Sequence, residues 1–175
     1  AGHLLDVNGA LNIDTGTGRA QLLISGEAST LANDDIAISD LRAGAEPANM
    51  EIAVRGLTGG TDAFGWVDLA QGTITYRADT TLTGATANGS FADGITLWSG
   101  FGNDTVHVNG TLYRAGVRTV TTLNTGLGDD TVYVDLQAVE SNPGDTADGL
   151  FVLNTQGPWN DYAALSDNDT VLGSG

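Results

Sequence analysis

Short runs of alternating apolar and polar residues dominate the chain, and the period of two that marks β-strands governs them. The runs fall at 11–13, 22–24, 36–38, 52–54, 66–69, 73–76, 95–98, 105–108, 120–123, 131–134, 150–153 and 170–172. Most carry Val, Ile or Thr, whose branched side chains fit a pleated, half-buried surface. Gly, Asn, Asp and Thr fill the gaps, so turns follow strands at short intervals. A helical period is sustained nowhere; brief helical stretches are expected only at 41–45 and 136–140. The pattern predicts an all-β fold in a single domain spanning 1–175. Within it, 59–84 reads as an inserted hairpin or a break between two halves, and 141–148 as an exposed loop.

One strand–turn–strand unit is written twice. Ser99-Gly100-Phe101-Gly102-Asn103-Asp104-Thr105-Val106-His107-Val108 is followed by Thr125-Gly126-Leu127-Gly128-Asp129-Asp130-Thr131-Val132-Tyr133-Val134, 26 residues later. A lead-in strand precedes each turn, at 95–98 and 121–124. A third round starts at Phe151-Val152-Leu153-Asn154-Thr155 and runs into an altered turn at 156–161. The segment Leu11-Asn12-Ile13-Asp14-Thr15-Gly16-Thr17-Gly18, leading to 22–24, reads as a fourth copy with Ala20 in place of the Asp. At the other end, Asn168-Asp169-Thr170-Val171 repeats the second half of the unit, and Gly173-Ser174-Gly175 reads as the next turn beginning. The chain is therefore expected to be a segment of a longer or self-assembling protein. Units of this length fit one coil of a parallel β-solenoid, of the β-helix or β-roll kind, with successive turns about 4.8 Å apart. That register sets Asn124 over Trp98 and Asn154 over Asn124. The same strands suit an antiparallel β-sandwich as well; the fixed order of strand, turn and strand favours the solenoid.

The turn carries its own chemistry. Glycines open backbone conformations closed to other residues, and each Asp adds a hard carboxylate oxygen. Carbonyl and carboxylate oxygens are the ligands calcium prefers. Here the chain resembles the RTX (hemolysin-type) calcium-binding nonapeptide G-G-x-G-x-D-x-U-x, which winds into a parallel β-roll. Gly100, Gly102, Asp104 and Val106 match its second and third glycines, its aspartate and its apolar position, and Gly126, Gly128, Asp130 and Val132 match them again. Ser99 and Thr125 replace the family's first glycine, and the spacing of 26 makes this a wide-coil variant. The resemblance implies calcium binding and export. The expected ligands are the carbonyls of Gly100, Gly102, Gly126 and Gly128 and the carboxylates of Asp104 and Asp130, with Asn103 and Asp129 reaching outward. Asp161, Asp167 and Asp169 form a second, weaker candidate. Asn33-Asp34-Asp35-Ile36 resembles half a motif and reads more simply as a metal-free capped turn.

Charge sharpens this picture. The formal net charge is −16, lysine is absent, and six arginines supply every fixed positive charge. Such a surface repels nucleic acid and anionic lipid and attracts divalent cations. No run approaches the ~20 apolar residues of a membrane span. With no cysteine, calcium is the expected staple in place of disulfides. No nucleophile elbow or phosphate loop is present, and the two histidines, His3 and His107, lack a metal-site partner. Arg114 and Arg118 are the only arginines between the two turns. The expectation is no enzyme but an extracellular calcium-binding structural module, secreted or at the cell surface: an adhesin, surface-layer, matrix or filament subunit that folds on calcium binding after export. Homo-oligomers or further repeats are its expected partners. The alternative is a carbohydrate-active β-helix enzyme or its polysaccharide-binding module, with Trp98, Trp159 and Tyr162 as candidate sugar contacts.

Overall fold

Alternation sets the strands, and eleven of them form among the described residues of the computed structural model: 4–16, 18–33, 35–40, 51–58, 72–78, 90–113, 118–136, 149–155 and 168–173. They are β1 (Leu11–Asp14), β2 (Leu22–Ser25), β3 (Ile36–Asp40), β4 (Glu51–Arg55), β5 (Ile74–Arg77), β6 (Ile95–Gly100), β7 (Thr105–Val108), β8 (Val120–Gly126), β9 (Thr131–Val134), β10 (Leu150–Asn154) and β11 (Thr170–Gly173). The fold is all-β, and no helix occurs among the described residues. The helical stretch at 41–45 and the strand at 66–69 lie outside them, as does most of 136–140.

The strands sort into two sheets. One has the order β10-β8-β6-β2 and is wholly parallel. The other has the order β1-β5-β4-β3-β7-β9-β11 and is mixed: β3–β4 and β4–β5 are antiparallel, the remaining pairs parallel. Both sheets therefore run through the chain in the same order, β2, β6, β8, β10 in one and β3, β7, β9, β11 in the other. Four successive units, β2–β3, β6–β7, β8–β9 and β10–β11, each give a lead-in strand to the first sheet and a lead-out strand to the second. The expected register is the one observed. Trp98 pairs with Asn124 and Asn124 with Asn154, and the Asn154 amide donates to Asn124 Oδ1 at 3.1 Å.

Two expectations need correction. The mixed sheet departs from an all-parallel arrangement, because β4 lies antiparallel against β3 and β5 antiparallel against β4. β4 buries Ile52, Ala53 and Val54 in succession, so it is covered on both faces. The expected copy at 11–24 is also wrong. Leu22–Ser25 is a lead-in strand, paired with Ile95–Trp98, while β1 pairs with β5 at the far end of the other sheet. The register is fixed by which alternate residues are buried. Leu22 and Ile24 point inward while Leu23 is exposed, and a slip by one would reverse them.

The core lies between the sheets and is built of columns. Ile24, Leu97 and Leu123 stack from one sheet, and Ile36, Val106 and Val132 from the other. Tyr76 and Phe91 close it with an edge-to-face contact at 5.8 Å. Burial raises the Tyr76 hydroxyl's pKa well above its usual value, with the nearby Thr121 hydroxyl tempering the shift.

Candidate functional site

The two Gly-Asp turns join the sheets at one corner, and they stack. Gly126 pairs with Gly100 at the ends of β8 and β6. The fit depends on the missing side chains. A Cβ on Gly126 would sit 1.8 Å from the Gly100 carbonyl oxygen, and one on Gly128 would sit 2.4 Å from that of Gly102. Both glycines also have positive φ, +92° and +135°. Each turn thus nests on the carbonyls of the turn before it.

The acidic residues complete the clasp. Asp104 N–H donates to Asp130 Oδ1 at 2.8 Å, and Asp130 N–H donates to Asp169 Oδ1 at 3.1 Å. Asn33 N–H donates to Asp104 Oδ1 at 3.0 Å. In this column every carboxylate reaches back to the amide of the preceding unit. The adjoining column runs the other way. Asp129 N–H donates to Asn103 Oδ1 at 3.1 Å, and Asn168 N–H donates to Asp129 Oδ1 at 3.0 Å. Neighbouring side chains thus bind successive turns from both sides. Hydrogen bonds to a charged acceptor contribute about 1.5–3 kcal/mol each where buried.

The two columns differ in burial. Asp104 and Asp130 are 1% exposed, whereas Asn103 and Asp129 face solvent. Desolvation pushes the Asp130 carboxyl up to about 6. The Asp104 amide and the Thr125 hydroxyl oppose that shift, and the charges of Asp104 and Asp169 add to it. Asp130 Oδ2 is buried with no hydrogen bond of normal geometry. Two carboxylates one inter-strand spacing apart repel by about 3 kcal/mol at an effective dielectric near 20.

Of the expected ligands, Gly100, Gly102, Asn103, Asp104, Gly126, Gly128, Asp129 and Asp130 are brought together, and Asp169 joins the same column. Its grouping with Asp161 and Asp167 cannot be followed, because those two lie outside the described residues. No group of three or more His, Cys, Asp or Glu suited to a metal occurs among the described residues. Arg118 is exposed, and Arg114 lies outside the described residues. Gly173 pairs with Val134 at the end of β11, and Ser174 and Gly175, the rest of the expected turn, lie outside the described residues.

Sequence reasoning saw half a motif at 33–36 but set it aside as a capped turn. The 29–33 stretch is the turn of the first unit: Phe101 N–H donates to the Ser29 carbonyl, and Thr105 N–H to that of Asn33. Asn33 takes the place of Asp104, since Thr131 bonds the Asp104 carbonyl in the same way. Two residues separate Asn33 from Ile36 where one separates Asp104 from Val106. That extra residue makes the half motif at 33–36 align one position off, with Asn33 and not Asp34 standing at the place of Asp104. Another feature escaped notice. His107 and Tyr133 stack at 4.7 Å with planes 5° apart, beside a groove of about 350 Å³ lined also by Asn109, Asp135 and Leu172. Trp98 is half-buried between Ser25 and Asn124, and Trp159 and Tyr162 lie outside the described residues. Comparison with family models, curated proteins and solved structures gives no match for this chain.

Proposed function

We propose that this chain is a calcium-stabilised parallel β-solenoid, RTX-like in its turns, that serves as an extracellular structural module. The observation that carries the reading is the column Asp104–Asp130–Asp169, buried at Asp104 and Asp130. Carboxylates on three successive rungs repel one another at neutral pH, and a cation among them would offset that repulsion. Asp130 Oδ2, buried without a hydrogen bond of normal geometry, is an oxygen suited to a hard cation. The residues that would hold calcium are Asp104 and Asp130 with the carbonyls of Gly100, Gly102, Gly126 and Gly128. Asn103 and Asp129 flank them on the exposed side. The ion supplies charge neutralisation and cross-links successive turns.

The logic is coupled folding. Where calcium is scarce the acidic chain resists compaction; where it is plentiful, binding to the folded state alone stabilises it. The gain is about 2.7 kcal/mol when free calcium reaches a hundred times the dissociation constant. That arrangement suits a protein folded after export, as an adhesin, surface-layer, matrix or filament component, and we assign it no catalytic role. A second reading, a polysaccharide-binding module, draws on the stacked His107–Tyr133 pair and its polar-edged groove. Circular dichroism during a calcium titration at pH 7.5 tests the first reading. A cooperative gain of β signal, absent in the double variant Asp104→Asn with Asp130→Asn, supports it; full β signal in chelator, unchanged by calcium, rejects it. Glycan-array binding lost on Tyr133→Ala would favour the second.

A further inference from the structure

Asn-Gly occurs at three places in this chain, 8–9, 88–89 and 109–110, and the second lies outside the described residues. In such a pair the glycine nitrogen has no side chain beside it to block its reach toward the carboxamide carbon of the asparagine. Whether it gets there depends on the freedom of the backbone. The fold treats the two described pairs in opposite ways.

Asn109-Gly110 is held. Asn109 N–H donates to the Ile38 carbonyl at 2.8 Å, and Gly110 is buried. A Cβ on Gly110 would sit 2.8 Å from the Asp40 nitrogen and 3.2 Å from the Asp40 Cβ. The rotation that brings the Gly110 nitrogen onto the Asn109 side chain would drive this backbone against β3. The related pair Asp93-Gly94 is held as well. Gly94 N–H donates to the Phe91 carbonyl at 2.9 Å, and Asp93 Oδ1 accepts from Arg19 Nε at 2.7 Å.

Asn8-Gly9 is open. Both residues are exposed, and nothing lies within 4 Å of the position a Gly9 Cβ would take. Neither makes a hydrogen bond among the described residues. The chain is tied on either side of them, by Val7 N–H to the Leu4 carbonyl at 2.9 Å and by Leu11 N–H to the Thr73 carbonyl at 3.0 Å.

We propose that Asn8 is a site of spontaneous hydrolytic deamidation in the folded protein, with water as co-reactant. The Gly9 nitrogen bonds to the Asn8 carboxamide carbon. Its proton passes through water to the side-chain nitrogen, which leaves as ammonia. Water then opens the cyclic imide at either carbonyl and leaves aspartate or isoaspartate. Both products add a carboxylate. Isoaspartate also adds a methylene to the backbone between Leu4, which packs against the core, and β1. Neither calcium nor the stacked turns take part, so this chemistry is independent of the proposed function.

The test is to hold the whole chain in mildly alkaline buffer and follow its peptides by mass spectrometry. The peptide carrying Asn8 should change from amide to acid, and an isoaspartate-specific methyltransferase should label it. The peptide carrying Asn109 should stay amide while the chain is folded, and in urea the two should react at similar rates. Gly9→Leu, a surface change that hinders the attacking nitrogen, should slow the reaction at Asn8 about tenfold. An Asn8 that stays amide in the folded chain over the time in which Asn109 converts in urea would overturn the proposal. So would equal rates at Asn8 and Asn109 in the folded chain, or a Gly9→Leu chain that reacts as fast as the parent.

Discussion

At the residue scale, two substitutions separate shape from charge. Gly126→Ala places a methyl group on the Gly100 carbonyl and forces a non-glycine residue to φ +92°. Urea denaturation should show a loss of about 2–4 kcal/mol. Gly9→Ala, where nothing lies within 4 Å, should change stability by less than about 0.5 kcal/mol in the same assay. Asp130 carries the charge argument. Asp130→Ala strands the buried Asp104 amide and should cost about 1–3 kcal/mol. Asp130→Asn keeps an acceptor oxygen while removing the charge, so it should tolerate neutral pH better than the parent in chelator. The pH dependence has a definite sign. The folded pKa of about 6 lies above the unfolded value of 3.8, so the folded state holds more protons between them. In chelator, stability should therefore be highest below about pH 4 as far as this group decides, and should fall as pH rises toward 6. The drop is on the order of 1 kcal/mol once solvent screening is allowed for. Thermal melts from pH 4 to 7 should show the slope in the parent and not in Asp130→Asn; a parent whose melting temperature rises across that window contradicts the assignment.

At the element scale, stability should vary along the stack. β6 and β8 have parallel neighbours on both sides, whereas β10 and β11 have one each and stay exposed. Native-state hydrogen exchange should find the slowest amides in β6 and β8 and the fastest strand amides in β10 and β11, because local opening needs fewer broken contacts at an edge. Equal protection across all four units would mean that the stack opens only as a whole. The His107–Tyr133 pair links β7 to β9 on the outer face. Tyr133→Ala should cost about 1 kcal/mol by denaturant unfolding, the usual worth of an aromatic contact beyond its buried area. Much at this scale was legible beforehand. The strands at 95–98, 105–108, 120–123 and 131–134 were readable because alternation, β-branching and Gly-Asp punctuation agreed there. The first unit was readable only in parts: its strands at 22–24 and 36–38 and half its motif at 33–36 were seen but not joined, because one extra residue before Ile36 broke the motif's spacing while leaving its pairing intact.

At the scale of the whole molecule, local sequence determined the unit, and tertiary pairing determined the assembly. Alternating Val, Ile, Leu and Thr made strands inevitable, since a period of two places every second side chain on one face. The repeated turn fixed its own register, because only glycine lets a turn sit on the carbonyls of its predecessor. The role of the aspartates was only half readable. Their oxygens were expected to face an ion, but one oxygen of each bonds the amide of the preceding unit, a partner 26, 39 or 71 residues away in the chain. No local pattern reveals such a partner. The same holds for β4, whose buried run Ile52–Ala53–Val54 could serve a parallel or an antiparallel neighbour equally well. Its antiparallel pairing with β3 is seen only in the folded chain. Sequence could set what each strand buries; only the folded chain could decide which strand lies beside it, because hydrogen-bonding edges carry no side-chain code of their own.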